Sequence, residues 1–198
     1  MPSKAKKTKK TSNQSRIGNV RIISGKYRSR KLDVFNADGL RPSTDRIRET
    51  IFNWLMHDTL NASVLDMFAG SGILGLESIS RGAKDVTFIE LNTSAFDVLK
   101  SNITKLQVEQ ALVKRGDALS ICGDLHKPFS LIFIDPPFRH GLVLNALNSL
   151  LTNNLIADNA LVYIEHEPEL NIDYPPQLTL KKELRTGGLI ASLFQYNY

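Results

Sequence analysis

Two groups of residues in this chain have the types and spacing to do chemistry. In the first, Asp66 ends an apolar run and is followed by Gly70 and Gly72 in 66-DMFAGSG-72. Glycines placed there let the backbone turn tightly and approach a ligand that any Cβ would push away. Glu90, in 86-VTFIELN-92, is the next acid at a strand end, 18 residues after Gly72. A carboxylate at that distance can accept both hydroxyls of a ribose. Asp117, in 114-KRGDAL-119, follows a third apolar strand, where it can accept from an adenine amino group or cap the next helix. The chemistry indicated is the holding of an adenosine-bearing cofactor.

The second group is 135-DPPF-138, at the end of the apolar run 129-FSLIFI-134. Proline holds the residue before it extended, so Asp135 and Pro136 are both stiffened by the prolines that follow them, Pro136 and Pro137. Such a hook offers the Asp135 carboxylate and the Pro136 carbonyl as two acceptors a few ångströms apart, matching the two N–H bonds of an NH2 group. Phe138 adds a face on which a ring can stack, worth about 1–3 kcal/mol per base. An exocyclic amino nitrogen is a poor nucleophile because its lone pair is delocalised into the ring. Fixing both hydrogens draws it toward tetrahedral geometry and aims the lone pair at an incoming carbon.

Gly70-x-Gly72-x-x-Gly75 also fits the dinucleotide fingerprint, which holds a pyrophosphate at a helix N-terminus. Asp66, just before the turn, would repel a pyrophosphate and attract a cation. That favours S-adenosylmethionine, which carries a sulfonium and an ammonium and no phosphate, over NAD.

The elements that must position these groups alternate. Short apolar strands are expected near 63–68, 85–90, 111–115, 129–135 and 160–165, with helices near 72–81, 93–106 and 140–152. Such alternation implies a doubly wound, mostly parallel α/β sheet covered on both faces. Two further strands around Gly187-Gly188 form a hairpin that adds an antiparallel strand at the sheet edge. Before the glycine turn, Ile47, Ile51, Phe52, Trp54 and Leu55 recur at helical spacing after Pro42, with Ser43 or Thr44 as cap.

The charge is unevenly spread. Residues 1–31 hold 11 of the 25 Lys and Arg and no Asp or Glu, leaving 14 basic against all 20 acidic side chains in the rest. A basic leader on a mildly acidic body reads as a polyanion-binding arm. Residues 1–15 offer almost nothing to bury and are expected to be disordered. The division expected is a basic tail at 1–18 and one domain at 19–198, of which 19–60 is a ribbon-and-helix extension. In the ribbon, expected over 19–34 with a turn near Ser24-Gly25-Lys26, Arg21, Lys26, Arg28, Arg30 and Lys31 form a basic face for nucleic acid. Arg139, just past the hook, is a further phosphate contact. No stretch approaches the roughly 20 apolar residues of a membrane span. Cys122 is the single cysteine and cannot form an internal disulfide, which fits a cytoplasmic protein. The four histidines have no ligand-like spacing with Cys122, so no metal is expected.

The turn 66-DMFAGSG-72, Glu90 and 135-DPPF-138 resemble the class I methyltransferases that modify base amino groups, and 20-VRIISGKYRSRKL-32, 40-LRPSTDRIRETIFNWL-55 and 65-LDMFAGSGILGLESISRGA-83 resemble, more narrowly, the bacterial 16S rRNA (guanine-966 N2)-methyltransferase family. The likeness spans about residues 19–165 and implies a Rossmann-like seven-stranded sheet with an antiparallel edge strand. It also implies S-adenosyl-L-methionine as cofactor, 16S rRNA of the small ribosomal subunit as partner, and a monomer. Asp66, Phe68, Gly70, Ser71 and Gly72 would line the cofactor, Glu90 and Leu91 its ribose side, Asp117 and Ala118 its adenine. Arg41, Pro42, Thr44 and Asp45 would close over the methionine end, and Asp135, Pro136, Pro137 and Phe138 would face the guanine. Read physically, Arg41, Arg46 and Arg48 contact phosphate or a cofactor carboxylate, or form a solvated helix face with Glu49. Three rivals stand beside this reading: a DNA adenine-N6 methyltransferase of the same architecture, an NAD-linked oxidoreductase, and a non-catalytic ribosome-assembly factor.

Overall fold

The computed structural model describes residues 16–36 and 45–198. The expectations for the tail at 1–15 and for Arg41, Pro42, Ser43 and Thr44 lie outside these residues. Strand β1 (Arg16–Arg21) pairs antiparallel with β2 (Lys31–Asn36), and helix α1 (Asp45–Trp54) follows. Then come β3 (Ser63–Asp66), α2 (Ile73–Ser80), β4 (Asp85–Glu90), α3 (Thr93–Leu106), β5 (Ala111–Arg115), α4 (Ala118–Cys122) and β6 (Phe129–Ile134). Helix α5 (Leu142–Thr152), β7 (Ile156–His166), β8 (Leu178–Arg185) and β9 (Ile190–Tyr196) complete the chain.

Seven strands form one sheet in the order β5-β4-β3-β6-β7-β9-β8. The first five are parallel; β9 runs antiparallel beside β7, and β8 lies outermost. Alternation along the strands sends side chains to two separate cores. Val64, Phe88, Leu131, Phe133 and Tyr163 pack against α1, α2 and α3, while Leu65, Ile89, Ile132, Ile134 and Val162 pack against α4 and α5. On the first face, Phe52 of α1 lies 6.1 Å from the Phe133 ring, which meets Tyr163 edge-on at 5.9 Å. Apolar residues on both faces are what parallel strands covered by helices require.

The ribbon packs outside α2 and α3. Glu77, buried in α2, accepts the backbone N–H groups of Ile23 (2.7 Å) and Ser24 (3.1 Å) and pairs with Arg81 (2.7 Å). The Lys26 N–H donates to the Ser80 carbonyl at 2.7 Å, closing the ribbon turn onto the end of α2. Gly25 has φ +82°, and a Cβ there would overlap the Ser80 backbone, so this contact admits only glycine. Buried Asn102 in α3 accepts from the Asp33 N–H and donates to the Asp33 and Ser71 carbonyls.

Three local expectations are corrected. The ribbon begins at Arg16, inside the expected tail of 1–18, because Arg16–Gly18 pair with Val34–Asn36. Strand β7 begins at Ile156, because the chain stays paired through an irregularity opposite Phe129–Leu131 where Asn159 takes φ +60°. Arg48 does not lie on a solvated face: it is 1% exposed, donates to Asp45 (2.6 Å) and to the Arg21 carbonyl (3.1 Å), and among the described residues its Nε and Nη1 have no partner.

Candidate active site

Strand β3 ends at Asp66, and the chain reverses through Gly70 (φ +54°) and Gly72 (φ +81°) into α2. The three glycines of the turn have different jobs. A Cβ on Gly70 would meet nothing within 4 Å, so the space above it is open to a ligand. A Cβ on Gly72 would strike Leu99, and one on Gly75 the Phe88 ring, so these two let helices pack closely on the sheet.

Glu90, at the end of β4, shapes the turn from the side. Its Oε2 accepts the Gly70 N–H and its Oε1 the Asn92 N–H, both at 2.6 Å. Each oxygen keeps a second lone pair for a ligand hydroxyl. Burial pushes its carboxyl above the usual range, against the lowering effect of those backbone donors. Asp66 Oδ2 accepts the Gly75 N–H at 3.1 Å. Burial pushes the Asp66 carboxyl up to about 7, with the Glu90 charge adding to the rise and the Gly75 donor opposing it.

The hook leaves the neighbouring strand. Strands β3 and β6 pair with Asp66 opposite Phe133, and the Met67 N–H donates to the Phe133 carbonyl at 3.1 Å. The glycine turn and Asp135–Phe138 therefore open at the same end of adjacent strands. The strand order also reverses between β3 and β6, the place where open α/β sheets form a ligand crevice. Pro136 is buried, Pro137 is exposed, and Phe138 is 37% exposed. Burial, with the charges of Glu165 and Asp66, pushes the Asp135 carboxyl well above its ordinary range. Arg139 takes φ +67°, and its N–H donates to Glu167 Oε1 at 2.9 Å, fixing the far end of the hook.

The other expected residues divide. Ser71 is buried and its hydroxyl accepts the Phe35 N–H at 2.9 Å, so it ties the ribbon to the turn. Asp117 caps α4 through the Ser120 N–H (2.9 Å), which realises the second of its two roles, and Ala118 is buried behind it. Leu91 is 67% exposed beside Glu90, and Phe68 is partly buried. Asp45 is exposed and paired with Arg48. Arg139 lies at the hook, but the ribbon turn does not. Helix α2 runs back along the sheet, so its end at Ser80 adjoins the start of β4. Lys26 accordingly lines a surface depression with Lys84, Asp85, Gln107, Glu109 and Gln110. Lys26, Arg28 and Arg30 thus lie toward the amino ends of the strands, away from Asp135.

Four residues that shape the site escaped sequence reading: Glu77, Asn102, Glu165 and Glu167. Glu77 and Glu165 carried a signal, each being an acid inside an apolar run, 73-ILGLESI-79 and 161-LVYIE-165. Among the described residues, no cluster of His, Cys, Asp and Glu has the form of a metal site.

The donor set fits a phosphate-free, cationic nucleoside. The α2 N–H group that would face a pyrophosphate is occupied by Asp66, and the residues around the open space at Gly70 are carboxylates. Comparison with known proteins agrees with this chemistry. Residues 20–195 match the family model described as Conserved hypothetical protein 95. The chain is 42% identical over 187 residues to ribosomal RNA small subunit methyltransferase D of Escherichia coli (strain K12), covering 94% of each. It is 43% identical over 194 residues to the protein of that name from Haemophilus influenzae, covering 94% of this chain and 99% of that one. A solved putative methyltransferase from Escherichia coli superposes with a TM-score of 0.84 at 42% identity, covering 91% of this chain and 99% of that one.

Proposed function

The chain belongs to the Conserved hypothetical protein 95 family, and on that membership we propose that it is an S-adenosylmethionine-dependent methyltransferase acting on the N2 amino group of a guanine in 16S ribosomal RNA. The observation that carries the reading is that the Gly70–Gly72 turn and the Asp135–Phe138 hook leave the adjacent strands β3 and β6 at one end. When bound, the cofactor supplies a methyl carbon made electrophilic by its sulfonium. Asp66 holds the turn and offers negative charge to that cation; Glu90 takes the ribose, Asp117 and Ala118 the adenine side, and Arg41, Pro42, Thr44 and Asp45 the methionine end.

On the substrate side, the Asp135 carboxylate and the Pro136 carbonyl accept the two amino hydrogens while Phe138 stacks on the ring. The guanine must leave its stack to reach them, since an amino group in a duplex cannot meet the methyl carbon. Orientation and stabilisation of charge developing on nitrogen supply the acceleration. The small ribosomal subunit is the partner, the protein acts as a monomer, and its place is the cytoplasm. Among the described residues, no helix is long and apolar enough to cross a membrane.

The test incubates the protein with radiolabelled methyl donor and, separately, small ribosomal subunits, naked 16S RNA and duplex DNA. Label is expected in N2-methylguanosine from the ribosomal RNA. Asp135→Ala should remove it while cofactor still binds by calorimetry. Label in N6-methyladenine of DNA, or turnover by Asp135→Ala near that of the parent, overturns the reading.

A further inference from the structure

The hook is held at both ends by the strand beside it. Where β6 ends, Ile134 pairs with Ile164 of β7. At the other end of the hook, the Arg139 N–H donates to Glu167 Oε1 at 2.9 Å, just after β7 closes at His166. Asp135–Phe138 therefore spans the gap between two anchors, Ile164 and Glu167, that are near neighbours in the chain.

Arg139 takes φ +67°, a left-handed bend that residues other than glycine seldom hold, because the Cβ crowds the backbone. Such a bend persists where its surroundings fix it. Glu167 fixes this one and is itself tied down. Its carbonyl can only accept, so His166 Nδ1 at 2.8 Å carries the proton, and Nε2 of the neutral ring accepts the Tyr174 hydroxyl at 3.2 Å. His166 is buried, and the Tyr174 ring packs on Phe194 of β9 with centroids 4.5 Å apart. Burial, with the Glu183 charge, pushes the Tyr174 hydroxyl up to about 12, so it stays protonated as a donor. A run of contacts thus leads from β9 through Tyr174, His166 and Glu167 to the backbone of the hook.

We propose that Glu167 is a positioning residue of the methyl transfer: by accepting the Arg139 N–H it holds the far end of the hook in its left-handed bend, which keeps the Pro136 carbonyl and the Phe138 ring aimed at the substrate base. The inference rests on the function proposed above. Glu167 exchanges no proton and touches no reacting atom; it acts through the backbone. Phe138 is 37% exposed and adjoins Arg139, so its ring goes where that backbone sends it. Without the carboxylate, the Arg139 N–H turns to water and the bend relaxes toward negative φ. The acceptors and the ring then lose their common orientation. Misplacing reacting groups by about 1 Å can cost about 100-fold in rate.

Glu167→Ala removes the acceptor, whereas Glu167→Gln keeps a carbonyl oxygen in its place. The bond lies at the surface, so both variants are expected to fold. At saturating RNA and cofactor, kcat should fall at least fivefold in Glu167→Ala and stay within threefold of the parent in Glu167→Gln, with cofactor Kd within twofold in both. Adding Arg139→Asn to Glu167→Ala should raise kcat again, since asparagine takes a left-handed bend more readily than arginine, while the lost phosphate contact raises KM for RNA. With fluorinated phenylalanine, the 19F resonance lost in Phe138→Leu identifies Phe138. It should shift in Glu167→Ala and return in Glu167→Gln. A fall in kcat of less than fivefold in Glu167→Ala, or an equal fall in Glu167→Gln, overturns the inference alone, provided that the parent enzyme transfers methyl. So does a Phe138 resonance that Glu167→Ala leaves unmoved. A parent enzyme that transfers none overturns the proposed function and this inference with it.

Discussion

The Gly70 backbone N–H donates to Glu90 Oε2 at 2.6 Å, so the acid at the end of β4 builds the turn at the end of β3. One side chain thereby shapes the ligand space and faces it. Glu90→Gln presents an NH2 group to one of two backbone donors, Gly70 or Asn92, and removes the charged acceptor from that N–H. The expected loss is about 1–3 kcal/mol of cofactor binding, or roughly 10- to 100-fold in Kd. Calorimetry at pH 8 measures it; a Kd within twofold of the parent would remove Glu90 from the cofactor site.

The Asp66 carboxyl, held at about 7 against an unfolded value of 3.8, makes both folding and binding pH-dependent. Its folded pKa is raised, so the folded protein binds the proton more tightly than the unfolded chain. Asp66 therefore subtracts stability progressively as pH rises from about 4 to about 7, by a few kcal/mol in order of magnitude. Asp66→Asn should unfold at higher denaturant than the parent at pH 8, with the difference vanishing near pH 4. A cationic ligand prefers the ionised form, so cofactor affinity should fall up to tenfold per pH unit below 7. Calorimetry in buffers of different ionisation enthalpy should show proton release on binding at pH 6.5. A Kd that is flat from pH 6 to 8 contradicts this account.

The ribbon turn lies toward the amino ends of the strands, so its charge acts on distant phosphates and leaves the transfer step alone. Replacing Lys26, Arg28 and Lys31 together by Gln should weaken RNA binding about equally for all sequences. The slope of log K against log salt should drop by about 2–3. The rate at saturating RNA should stay within twofold of the parent. A fall in that rate with unchanged salt slope would place the ribbon in the reaction and remove it from the phosphate contacts.

Most elements were legible because their signals are local. The periodicity of 93–106 marks α3 from end to end, and 111–115 marks β5 in the same way. Helix α4 is legible only as a helix that Asp117 could cap, without bounds, because five residues hold little more than one turn of pattern. Of the alternatives open for Arg48, the solvated face fails because its helix position faces the ribbon, a neighbour that helical spacing does not announce.

The order of residues alone fixed which segments extend, which coil, where the chain turns at Gly70 and Gly72, and that Asp135 is stiffened by the prolines after it. These follow from φ preferences and side-chain spacing within a few residues. Only tertiary structure decided that β6 lies beside β3, that Glu165 is buried next to Asp135, that Asp117 caps α4, and that the basic turn sits at the far end of α2. Those facts depend on pairings between residues tens of positions apart, such as Asp66 with Phe133 and Lys26 with Ser80. Strand order follows from which apolar faces can be buried together, a property of the whole chain that no short window contains.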